Sequence, residues 1–194
     1  MERARAIHTI MVEMTTGMLV LATLATVILV WMSLFGRERY PRLMDSADAV
    51  VVFGIAIGTP MILLSIVSGF RQWPLEAFLH GAIVQNKIFA SVMALSLWTG
   101  LFFLRLAAGK RLWDQRGPAI FALILALAGF VFLVFTASIG GTLAGKPSGF
   151  EEVIRSFVET RQTFSLPWAG NLLLLFAGVT LPFIAVFWLR RKVS

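Results

Sequence analysis

The chain has 194 residues, 58% of them hydrophobic and 14% charged, with seventeen basic residues against ten acidic ones and no cysteine. A mean hydropathy of +0.85 excludes an ordinary water-soluble domain, and the lack of cysteine excludes disulfides, thiolate-held clusters and thioether-attached haem within this chain. The net charge of +7 would suggest nucleic acid in a soluble protein, but in so apolar a chain it bears on membrane topology.

A bilayer core about 30 Å thick needs roughly 20 apolar residues of helix. Runs of that kind predict five spans, at 14–35, 49–70, 88–104, 118–139 and 168–189. Inside lipid every backbone group needs a partner within its own span, so helices are expected and strands are not. The fold class that follows is all-α, a polytopic up-down transmembrane bundle forming one membrane domain over 1–194. The first run starts too late and is too long for a cleavable signal core, and reads as a signal anchor.

Basic residues divide unevenly between the two faces. The first and third connectors and the C-terminus carry ten basic residues against four acidic, a net +6. The opposite face carries seven against six, a net +1. The positive-inside rule then puts the N-terminus outside and the C-terminus in the cytoplasm of a prokaryotic cytoplasmic membrane. Gly36 to Pro41 and Gly109 to Pro118 read as short turns, with each proline at the approach to a new helix.

In the second run, Gly54, Gly58, Ser65 and Gly69 form a small-residue face suited to close helix approach, and Pro60 predicts a kink, as does Pro182 in the fifth. Trp73, Trp113, Trp168 and Trp188 fall near predicted span ends and read as interfacial anchors. Gly140-Gly141 is expected to end the fourth span. Beyond it, Ser148 followed by Glu151 resembles a capping box, and Phe150, Val153, Ile154, Phe157 and Val158 recur at helical spacing. A short interfacial helix over about 149–162 is expected there, as a lipid-floating connector or a docking surface for a soluble partner.

Ionisable groups at membrane depth are costly and need partners. Glu13 and Lys87 each stand immediately before the core of an odd-numbered span, so an up-down bundle sets them at one depth. An ion pair between them is one reading, and a boundary carboxylate beside a snorkelling lysine is the other. From that level His8 lies roughly 7.5 Å and His80 roughly 10.5 Å further out at 1.5 Å per residue. Two neutral imidazoles at matching height suit the axial positions of one haem b, whereas a mononuclear metal site needs further ligands. Glu13 sits five residues from His8, about 140° around the helix, which argues against chelation by those two side chains. The alternative for both histidines is an interfacial, hydrogen-bonded role.

The order of features over 8–149 resembles a family of uncharacterised four-helix membrane proteins associated with redox or haem functions, which opens His-Pro-x-x-Val-His-Phe-Pro and closes Gly-Gly-x-Leu. Here the opening reads His8-Thr9-Ile10-Met11-Val12-Glu13-Met14-Thr15, with the first histidine and the valine kept, both prolines absent and Glu13 in place of the second histidine. Ser68-Gly69-Phe70 resembles the turn ending the family's second span, His80 with Asn86 its His-x5-Asn start of the third, and Gly140-Gly141-Thr142-Leu143 its closing signature. The fifth run lies outside that pattern and reads as an addition for assembly with other subunits.

The function expected is a membrane-anchored b-type cytochrome subunit relaying electrons within a respiratory or photosynthetic-type complex, at most an electron-transfer part of an oxidoreductase. Its haem iron would be held by His8 and His80 near the outer face, with Glu13, Arg71, Asn86 and Lys87 around it or beside a quinone. The expected partners are lipid, other membrane subunits and an outer-face soluble electron carrier. The alternative is a cofactor-free accessory subunit of a membrane complex. A phosphate loop, a His-Glu-x-x-His helix and a Gly-x-Ser-x-Gly elbow are all missing from the sequence, and nothing points to nucleic acid.

Overall fold

The computed structural model describes residues 2–35, 40–70, 75–145, 176 and 180. In chain order the elements are α1 (Glu2–Phe35), α2 (Pro41–Phe70), the short α3 (Leu75–His80), α4 (Ala82–Ala108), a 3-10 turn (Gly109–Trp113) and α5 (Arg116–Leu143). Four of these helices are long and apolar enough to cross a membrane, and the first four predicted spans fall inside them. The predicted fifth span and the interfacial helix fall on residues outside the described ones, save Phe176 and Thr180.

Pro41 opens α2 at a position where its missing N–H has no helical partner to lose. Downstream, α2 continues through Pro60. Gly109, at φ 59°, ends α4 in the left-handed region that a side chain disfavours. The expectation that Gly140-Gly141 ends the fourth span is corrected. Helix α5 runs through both glycines to Leu143, Ala144 N–H bonds back to Gly140 and Gly141 carbonyls, and the positive φ falls at Gly145. Glycine weakens a helix interior by roughly 0.5–1 kcal/mol relative to alanine but does not break it.

Helices α1 and α2 make the most extensive pair, and the small-residue face explains why. A Cβ on Gly54 would stand 2.8 Å from the Met18 carbonyl oxygen, and one on Gly58 would stand 2.6 Å from a Leu19 methyl. On the next pair of helices, a Cβ on Gly129 of α5 would meet the Trp98 indole of α4 at 2.9 Å. Backbones approach this closely only where a side chain is missing.

The buried core runs through Leu19, Leu29, Val51, Ile55, Trp98 and Ala122. Large apolar side chains such as Leu24, Trp31, Phe53, Ile124 and Val131 point outward and are exposed. An inside and an outside that are both apolar belong to a bundle solvated by lipid.

Candidate ligand cavity

The start of α1, the end of α2, the start of α4 and the end of α5 meet at one end of the bundle. They line a half-open cavity of about 790 Å³, where the packed core gives way to open space. The up-down order brings these four helix ends together although they are far apart in sequence.

His8 is half-buried in the cavity wall. Its Nδ1 lies 2.8 Å from Ser68 Oγ on α2, and the Ser68 hydroxyl donates to the Ser65 carbonyl at 3.1 Å. A hydroxyl has one proton to give. In the tautomer in which Ser68 keeps its proton on Ser65, Nδ1–H of His8 is the donor to Ser68 and Nε2 carries the lone pair. Gly69 supports the ring from α2: a Cβ there would stand 3.6 Å from His8 Cε1.

Lys87, on α4, reaches across the cavity to α5. Its Nζ lies 3.1 Å from where a Cβ on Gly140 would stand, so the glycine read as a helix terminator instead makes room for an ammonium group. Glu13 also lines the cavity and is exposed, but among the described residues it makes no ion pair with Lys87 within 4.0 Å. Ser65 Oγ and Thr136 Oγ1, in the same lining, are buried and have no hydrogen-bond partner. Three further lining hydroxyls are satisfied by their own helices, with Thr15 donating to the Met11 carbonyl, Thr16 to that of Val12 and Ser91 to that of Lys87. Ile62, Ile66, Val84 and Leu133 supply apolar wall.

The remaining predicted site residues divide. His80 is exposed at the end of α3 and is not part of this lining. Asn86 is buried one position before Lys87, also outside the lining. Arg71 lies outside the described residues. Thus His8, Glu13 and Lys87 are gathered at one cavity and His80 and Asn86 are not. Among the described residues, no three His, Cys, Asp or Glu side chains come together as a metal-binding group.

At the opposite end the structure holds a polar cluster that sequence reading passed over. Asp48 of α2 is 5% exposed. Arg105 of α4 grips it with two bonds, Nε to Oδ1 at 2.7 Å and Nη2 to Oδ2 at 2.5 Å, and Trp113 Nε1 donates to Oδ1 at 2.7 Å. The Trp113 carbonyl accepts from Ser33 of α1 at 2.6 Å. Trp113, expected at the lipid boundary, is 2% exposed, because its N–H is needed by a buried carboxylate. The one signal in the sequence was an aspartate at the edge of an apolar run, which requires a partner at that depth. An exposed pair, Lys110 Nζ to Asp45 Oδ1 at 2.6 Å, lies nearby.

No known protein family, curated protein or solved structure matches this chain.

Proposed function

We propose that this protein is a membrane-embedded electron-transfer subunit that holds haem b in the cavity, with His8 as its axial ligand. The single observation that carries the reading is a histidine in the cavity wall whose Nδ1 lies 2.8 Å from Ser68 Oγ, a contact that, with Nδ1–H as the donor, leaves the Nε2 lone pair for a metal. A hydrogen bond to the far nitrogen sets the tautomer and orientation of a metal-bound imidazole. The volume falls within the roughly 300–1,000 Å³ of pockets that enclose a cofactor-sized molecule. Bound haem supplies a one-electron couple. The chain's own residues bind it, exclude lipid from one side and, through exposed Glu13 at the rim, offer a carboxylate for proton exchange with solvent. The charge bias of the connectors puts this rim on the outer face, within reach of a soluble carrier or of quinone in the adjoining lipid.

The test is a reduced-minus-oxidised spectrum of the detergent-purified protein after haem addition. Wild type should show b-type bands that His8→Ala abolishes. Bands retained unchanged in His8→Ala, or none in wild type, overturn the reading. His80→Ala decides the ligand number: retained bands mean one protein histidine, and lost bands mean the two-histidine clasp expected from sequence. The exposure of His80 and its place outside the lining favour a second reading, a cofactor-free accessory subunit. That reading predicts a folded wild type without haem bands.

A further inference from the structure

Resting on the haem reading, we propose that Lys87 is the anchor for a carboxylate carried by the group in the cavity. Lys87 is a half-buried ammonium at the cavity wall, and among the described residues no carboxylate lies within 4.0 Å of it. An uncompensated ammonium at membrane depth is costly, and an anion relieves that cost. Gly140 is the second observation. A glycine inside α5 weakens the helix, and the space it opens is occupied by Lys87 Nζ, which would lie 3.1 Å from an added Cβ. The third is independent of charge: Ser65 Oγ and Thr136 Oγ1, in the same lining, are buried donors without acceptors. A cation and two unsatisfied hydroxyls among apolar walls lack an electron-rich oxygen on an apolar body. Haem, with two carboxylates on a large apolar ring, has that chemistry.

The test compares two probes that differ at the two carboxyl groups, haem and the iron complex of its porphyrin dimethyl ester, in which methyl esters remove the negative charges, titrated by absorbance into the full chain in detergent. Wild type should bind haem about tenfold more tightly than the ester, the scale of one charge-assisted hydrogen bond. Lys87→Met should erase the preference, and Lys87→Arg, which keeps the positive charge, should retain it. Equal affinities in wild type, or a preference that survives in Lys87→Met, overturn the anchor while leaving His8 ligation standing. In His8→Ala, a lost ligation band with the preference intact supports both proposals. An unchanged band with the preference intact keeps the anchor and overturns His8. Failure of both probes to bind wild type overturns both.

Discussion

Asp48 shows how much one carboxylate can ask of its surroundings. Buried at 5% exposure and held by Arg105 and Trp113, it is stable as a set and costly to break. Arg105→Ala, which strands the charge, should destabilise the protein by about 3–5 kcal/mol. Trp113→Phe removes one of three bonds and leaves the guanidinium in place, so the loss of the bond itself should be smaller, about 1–3 kcal/mol. The double variant Asp48→Ala/Arg105→Ala should be more stable than Arg105→Ala alone, since no charge is left unpaired. Thermal unfolding in detergent ranks the three. At the other end, Ser68 contacts His8 Nδ1, and under the proposed function Ser68→Ala should weaken haem binding by about tenfold or more, read by absorbance titration.

Among the helices, glycine acts by what it lets through. Gly54→Ala would drive a methyl to 2.8 Å from the Met18 carbonyl, a backbone atom that cannot turn aside. Separating α1 from α2 should cost about 1–3 kcal/mol. Gly17→Ala and Gly100→Ala, with nothing within 4 Å, should instead be neutral or stabilising by up to about 1 kcal/mol. Melting temperatures of the three variants check the contrast, because a general intolerance of helix glycines to substitution would lower all of them alike. This interface was legible in the sequence: small residues one turn apart at Gly54 and Gly58, continued by Ser65 and Gly69, mark a face suited to close approach. Gly140 was not, since the same residue type marks a helix end, a turn or a contact, and only the position of Lys87 decides which.

At the scale of the whole molecule, the connectors give topology a direct test. The chain has no cysteine, so single cysteines report cleanly. Gln115→Cys and Glu76→Cys sit at exposed positions at opposite ends of the bundle. The charge bias predicts that a membrane-impermeant maleimide applied to intact cells labels position 76 and spares 115. The reverse pattern would invert the protein and move the cavity to the cytoplasmic side. That four apolar runs are helices could be read from the sequence because lipid leaves a long apolar segment no other way to satisfy its backbone, but the helices are longer than those runs, α1 starting at Glu2 and α2 at Pro41. Which residues meet could not be read from the sequence. Asp48 and Arg105 are 57 positions apart, and His8 and Ser68 are 60 apart. Matching depths set Glu13 level with Lys87 and His8 level with His80, but level says nothing of rotation, and His80 falls outside the cavity lining that holds the other three. Hydrophobicity along the chain therefore determined the class and the depths. Only the packing of glycine faces, which sets each helix's angle about its own axis, decided which polar groups share a cavity and which are buried in pairs.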